Sequence, residues 1–236
     1  AYTVQRGDTL YSIAFRYGLD YRKVAAANRV PAPYTIYPGQ RLVLREAAVP
    51  PPTAAPTSSV PRTGSSSATV RSGTGAVIVA PPALPTAPAP APKPEAVTKA
   101  SSPPAKKNSA YTGSSVSAWR WPAQGPVLRG YSSTVHKGID IGGKRGDPVK
   151  AVAAGQVVYA GTGIVGFGEL LIVKHNDVYL SAYGHNDQLL VAEGDTVKAG
   201  QVIAEKGSSG TDRVKLHFEI RKEGKPIDPQ RLLPRR

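Results

Sequence analysis

The sequence predicts a multidomain chain: a small α+β (βααβ) module over residues 1–45, a disordered Pro-rich linker over 46–110 and a mainly-β C-terminal domain over 111–236. Three observations predict it. Apolar residues recur at helical spacing in the first segment. The middle segment holds 14 of the 23 prolines, with Ala, Ser, Thr and Gly making up most of the rest. The last segment reads as short apolar strands separated by glycine turns.

Composition narrows the function classes. The formal net charge is +14, yet the three segments carry about +5, +4 and +5, so no segment concentrates it. A nucleic-acid binder would show a clustered basic stripe. The surplus reads instead as general attraction to polyanions such as lipid headgroups or wall carboxylates. With no cysteine, disulfides and thiolate sites are excluded. No apolar run approaches the roughly 18 residues of a membrane helix. The chain also lacks methionine, so it is expected to be trimmed at its N-terminus, with membrane contact only through a lipid anchor upstream of it.

In the first segment, Tyr2 to Gln5 reads as a strand. Asp8 is expected to cap a helix on which Leu10, Ile13, Ala14 and Tyr17 share a face. Gly18 should end it. Asp20 begins a second helix, with Leu19 and Val24 as a hydrophobic staple. A loop follows Asn28, and Arg41 to Leu44 closes as a strand. This order, with YTVQRGDTLYSIAFRYG, AAAN and YPGQRL, resembles the LysM module over residues 2–44. The resemblance implies binding of N-acetylglucosamine-containing peptidoglycan glycan strands in a shallow groove. That groove maps onto Gly7, Asp8, Thr9 and Leu10 on one side and onto the stretch from Asn28 to Ile36 on the other. Six of the eleven tyrosines lie in this module; their flat faces and polar tips suit sugars as well as core packing.

The middle segment cannot bury enough apolar surface to offset its ordering entropy. As a flexible coil it would span roughly 45 Å, and fully extended about 200 Å. Its one apolar patch, Gly75 to Ala80, reads as part of that disorder.

Candidate strands of the last segment are PVKAVA, GQVVYAG, GELLIVKH, VYLSAYGH, GQVIAEKG and LHFEIRKEG. Gly146 to Val158 is echoed by Gly194 to Ile203, each opening on Gly-Asp-x-Val-Lys. The echo predicts two similar β-units closing one sandwich or partial barrel, an arrangement that resembles a barrel-sandwich hybrid built on a duplicated hybrid motif. Lipoyl and biotinyl carriers share this kind of architecture, but their lysine sits in contexts such as Met-Lys-Met or Asp-Lys-Ala. Neither tripeptide occurs here.

HKGID (His136 to Asp140), YGH (Tyr183 to His185) and KLHFEI (Lys215 to Ile220) follow in that order. With the flanking VVYAG and VKAGQ they resemble the LytM/lysostaphin-type metallopeptidases over about residues 119–234. The resemblance implies that His136, Asp140 and His217 are metal ligands. Three N/O ligands with a fourth position for water is the composition of a catalytic zinc site. It also implies that His185 and residue 215 assist the water and the developing oxyanion. Where the family has a histidine, this chain has Lys215.

Residues i and i+2 of a strand face the same side, so Lys215 is expected in the groove beside His217. An ammonium has no acceptor and cannot take a proton from water. At roughly 5 Å and an effective dielectric near 20, its repulsion against Zn²⁺ is about 7 kcal/mol. Neutralising it at pH 7 costs about 4.6 kcal/mol. Zinc is therefore expected to bind weakly or not at all. His175, in KHND, reads as an exposed hairpin residue, and Trp119 and Trp121 as packing residues where the domain begins.

A LysM module, a long linker and a degenerate LytM-type domain together resemble the murein hydrolase activators, outer-membrane lipoproteins facing the periplasm. That resemblance implies a regulator whose groove, including Tyr183, His185 and Lys215, docks and switches on a periplasmic N-acetylmuramoyl-L-alanine amidase at the division septum. Two other activities stay open: a working zinc endopeptidase that cuts wall cross-links, and a passive wall anchor.

Overall fold

The structure, a computed structural model, describes residues 1–47, 113 and 115–236. Nearly all of the expected linker, with its Gly75 to Ala80 patch, lies outside the described residues. No helix among the described residues is long and apolar enough to cross a membrane.

The N-terminal module contains β1 (Tyr2–Thr3), α1 (Leu10–Tyr17), α2 (Tyr21–Asn28) and β2 (Arg41–Leu42), with β1 and β2 antiparallel. Both strands stop short of the expected Gln5 and Leu44. The cap of α1 is Thr9 and not Asp8. Thr9 Oγ1 accepts the Ser12 N–H at 3.0 Å, and Ser12 Oγ accepts the Thr9 N–H at 3.0 Å, a reciprocal box that satisfies two orphan donors. Asp8 is drawn the other way, accepting Tyr2 Oη at 2.6 Å and the Gln5 N–H at 2.9 Å. Gly18 ends α1 in the left-handed region and Asp20 caps α2, as expected.

The C-terminal strands are β3 (Val127–Arg129), β4 (Ile139–Gly142), β5 (Pro148–Lys150), β6 (Gly155–Gly161), β7 (Glu169–Lys174), β8 (Tyr179–Leu189), β9 (Thr196–Val197), β10 (Val202–Lys206), β11 (Lys215–Lys222) and β12 (Lys225–Ile227). They form one sheet in the order β3-β4-β11-β8-β7-β6-β9, with β12 on β11 and β10 bridging β8 to β5. The sequence echo has a structural counterpart. The pairs β5/β6 and β9/β10 follow Gly146 and Gly194, and they zip crosswise, β5 with β10 and β6 with β9.

Period-two alternation gives this sheet two faces. Leu171, Val173, Tyr183, Leu216, Phe218 and Ile220 enter one buried cluster. Leu170, Ile172, Leu180 and Ala182 enter another on the opposite face. On β11 the residues between the apolar ones, Lys215, His217, Glu219 and Arg221, therefore belong to that second face. An irregularity between Val157 and Tyr159 lets β6 send Val157 to the first cluster and both Val158 and Tyr159 to the second.

The N-terminal module packs on the second face. Leu10, Ile13, Phe15, Tyr21 and Val24 share its cluster, and Phe15 meets Phe167 edge-to-face at 5.3 Å. Lys225 donates to the Gly18 carbonyl at 2.9 Å, and Tyr21 Oη to Asp177 at 3.3 Å. Gly224 permits the close approach: a Cβ there would lie 2.2 Å from the Leu19 oxygen. Module and domain thus fall in one compact unit with a shared core.

Candidate functional site

Asp140 on β4 stands directly opposite His217 on β11. This pairing needs Gly138, where a Cβ would sit 2.2 Å from the Phe218 oxygen. Asp140 Oδ1 lies 2.8 Å from His217 Nδ1 and 3.2 Å from His136 Nε2. One ligand atom from each of His136, Asp140 and His217 falls within 4.8 Å of the other two. His136 Nε2 is buried and has no hydrogen-bond partner, an expensive state that a bound cation would relieve. Lys215 Nζ donates to the other carboxylate oxygen, Oδ2, at 2.9 Å. The ammonium is in the site, as its strand position requires, yet Oδ1 still faces both imidazoles. Two nitrogens and one oxygen so arranged fit a zinc-type ion; Lys215 is the group that opposes it.

Charge states follow from these contacts. Burial works to raise the Asp140 pKa, but the hydrogen bonds from His217 and Lys215 outweigh it and hold the carboxyl well below its usual range. Burial works to lower that of His217, and the Asp140 and Glu219 carboxylates together raise it. Burial lowers His136 and His185, favouring the neutral imidazole that ligates metals or accepts protons.

His185 joins the cluster by an unexpected route. Alternation along β8 would send it inward with Tyr183. Its φ of 64° breaks the alternation and brings its ring within 6.0 Å of the His217 ring. Its Nδ1 faces the Ser209 carbonyl at 2.8 Å. A carbonyl only accepts, so Nδ1 carries the proton and Nε2 is the open acceptor.

Tyr183 is a correction. It was expected to line the groove, but it is fully buried. It pairs with Phe218 in register and therefore faces the core. Its Oη accepts the Val152 N–H at 3.0 Å and the Ser181 hydroxyl at 2.9 Å. His175 is a second correction, 1 % exposed. Its ring nitrogens lie 2.8 Å from the Ala154 carbonyl and 2.7 Å from Ser181 Oγ, and Trp119 closes over it at 5.3 Å. Trp121 packs as expected, donating to the Pro234 carbonyl at 2.8 Å.

In the N-terminal module, Gly7 is exposed and Asp8 half-buried. Leu10 is 1 % exposed because it anchors the α1 core face; its side chain is corrected from a glycan contact to a packing residue. Thr9 caps α1 and donates to the Val158 carbonyl at 3.3 Å. The Asn28 amide pins α2 to Val43, donating to its carbonyl at 2.9 Å and accepting its N–H at 2.7 Å. Ile36 is half-buried against the shared cluster.

Sequence reasoning missed four neighbours of the site. Leu128, Arg129, Arg213 and Asp212 join Asp140 and Lys215 around an open cleft of about 320 Å³. Arg129 and Arg213 signalled only positive charge without a spacing, and Leu128 and Asp212 gave no signal. Glu219 and Arg221 were also missed. Glu219 Oε1 lies 3.2 Å from His217 Nε2, and its Oε2 accepts from Arg221 Nε and Nη2 at 2.9 and 2.8 Å. The period-two pattern of LHFEIR could have found both.

Residues 134–229 match Peptidase family M23, and residues 2–45 match the LysM domain. The chain is 48 % identical to a Pseudomonas aeruginosa protein named Lipoprotein NlpD/LppB homolog, covering 100 % of this chain and 77 % of that one. It is 41 % identical to the Haemophilus influenzae Outer membrane antigenic lipoprotein B, covering 99 % and 64 %. It is 40 % identical to the Salmonella typhimurium Murein hydrolase activator NlpD, covering 100 % and 68 %. Among solved structures, a zinc-containing peptidase from Vibrio cholerae overlaps 48 % of this chain and 39 % of its own, at 29 % identity and a TM-score of 0.46.

Proposed function

The chain belongs to the NlpD/LppB lipoprotein family, and on that premise we propose that it is a peptidoglycan-associated activator of a cell-wall hydrolase. In this reading residues 1–45 hold glycan strands and, packed on the C-terminal sheet, keep the docking domain beside them. Residues 111–236 dock a periplasmic N-acetylmuramoyl-L-alanine amidase and switch it on during septal wall splitting. The names of the relatives, lipoproteins and murein hydrolase activators, support an envelope location on the outer membrane.

The observation that carries the reading is Lys215. A water attacking a peptide carbonyl must lose a proton, and an ammonium hydrogen-bonded to Asp140 Oδ2 has no lone pair to receive it. His136, Asp140 and His217 would hold a zinc-type ion, which when bound would polarise a carbonyl or water. His185 Nε2 offers an acceptor on one side of that position, and Lys215 supplies only a donor on the other. The cleft between Arg129, Arg213 and Lys215 is better furnished to hold a partner than to turn over substrate. Docking activates only by favouring the partner's open state over its closed one. Moving that balance from mostly closed to mostly open takes about 5.5 kcal/mol of differential binding.

The test separates bonds by their products. Purified chain is incubated with intact peptidoglycan, with and without the amidase. The activator reading expects no cut cross-links from the chain alone, and faster release of stem peptides from lactyl groups when both are present. Cross-link cleavage by the chain alone, lost on His217→Ala and on chelation, supports the metalloendopeptidase instead. That second reading is favoured by the complete His136–Asp140–His217 set.

A further inference from the structure

We infer that the N-terminal module braces the metal centre through Glu219 and Arg221, two positioning residues that connect His217 to helix α1. The connection is a chain of direct contacts. His217 places Nδ1 toward Asp140 Oδ1 and Nε2 toward Glu219 Oε1. Glu219 is held by Arg221 from two nitrogens. Arg221 Nη1 donates to the Phe15 carbonyl in the last turn of α1 at 2.5 Å, and its guanidinium stacks 3.4 Å from the centre of the Phe15 ring. Phe167 runs alongside, its ring 5.3 Å from Phe15 and 5.4 Å from His217.

The chemistry of each link is directional. A histidine that ligates through one nitrogen must present the other as a donor, and a carboxylate acceptor there fixes the ring's tautomer and orientation. Glu219 is that acceptor. A buried carboxylate adopts a fixed position only if its second oxygen is matched, and the Arg221 fork matches it. Arg221 is itself 6 % exposed, and its third nitrogen, Nη1, donates to a carbonyl that belongs to the other module. Pulling α1 away would strand that donor, free the guanidinium to swing toward solvent and loosen Glu219 beneath His217. The alternation that puts Lys215, His217, Glu219 and Arg221 on one face of β11 is what lets metal centre and module contact share a strand. Metal binding and module docking should therefore be coupled, each strengthening the other. The inference rests on the metal capacity of the cluster and not on the activator reading.

The test uses the full chain. Zinc affinity is measured by competition with a chromophoric chelator, and Co²⁺ is used as a visible-spectrum reporter of geometry. The variant is Glu219→Gln with Arg221→Met, which removes both buried charges together and so keeps the fold accessible. At saturation the wild type should take one equivalent of zinc, with an affinity lowered by the Lys215 ammonium beside Asp140. The double variant, with its melting transition intact, should bind zinc about 10- to 100-fold more weakly and shift the Co²⁺ bands. Asp177→Asn, which alters the Tyr21 contact elsewhere on the same interface, should leave the affinity within about twofold. Hydrogen exchange supplies a readout indifferent to simple packing: zinc should slow exchange in α1 of the wild type and not of the double variant. A wild type that takes no stoichiometric zinc overturns the inference. So does a folded double variant that binds zinc as tightly as the wild type, or an α1 whose exchange ignores the metal.

Discussion

Two buried histidines sit on opposite faces of the same sheet, and their surroundings differ in one respect. Around His175 every polar group ends inside the domain: Ala154, Ser181, Tyr183 and Val152 close a ring of hydrogen bonds, capped by Trp119. Around His217 the polar contacts run outward, through Asp140 to Lys215 and the unpartnered His136 Nε2, and through Glu219 and Arg221 to the other module. Burial alone therefore separates nothing; both histidines are nearly inaccessible. What distinguishes the second is incompleteness, a buried His136 Nε2 without a hydrogen bond.

The comparison can be broken or sharpened by perturbing each side. The largest effect is expected at the open cluster: Arg221→Met leaves Glu219 charged and buried without its fork and should cost about 3–5 kcal/mol in chemical denaturation. A loss below about 1 kcal/mol would mean that solvent reaches Glu219.

On the closed side, burial pushes the His175 pKa down to about 4. The unfolded chain titrates near 6.5 and takes up a proton first. Stability is therefore full above about pH 6.5 and falls as pH drops toward 4, by about 3 kcal/mol. His136 and His185, also lowered, add to the decline and His217, raised, opposes it, so His175→Asn should flatten part of the wild-type decline in denaturation midpoint. An unchanged slope would place the titration elsewhere.

Within the same knot, Tyr183→Phe orphans the buried Val152 N–H and should cost about 1–3 kcal/mol without altering zinc uptake. An effect on metal binding would join the two clusters that the structure keeps apart. The smallest effect is expected at the module: Thr9→Ala removes the α1 cap and should cost about 1 kcal/mol, against a negligible change for Asp8→Asn as a cap.

How much of this was readable beforehand follows from locality. Gly18 and Asp20 were legible because caps depend on a few neighbouring residues. Thr9 and Asp8 were confused because both are good caps, and the choice turns on where Tyr2 and Gln5 place their donors. The placement of Lys215 on one face with His217 followed from strand period alone, while its contact with Asp140 depends on the pairing of β4 with β11. The same rule should have put Tyr183 in the core and would have sent His185 there too; its positive φ is set by the chain around Phe167 and Ser209, far away in sequence. His175 looked exposed because KHND has turn composition, and Trp119 and Ala154, distant in the chain, cover it. Least legible was the packing of the module on the sheet. Leu170, Ile172 and Leu180 read as sandwich core whichever element covers them, and nothing local says that the cover is α1.

The account turns on the ammonium at position 215, and dye release from labelled peptidoglycan reads its consequence most directly. The chain alone, the amidase alone and the two together are compared, each with and without a chelator that has been titrated against the amidase. The account predicts background release from the chain alone and a rate for the pair well above that of the amidase alone. Chelator-sensitive release by the chain without any amidase would contradict it.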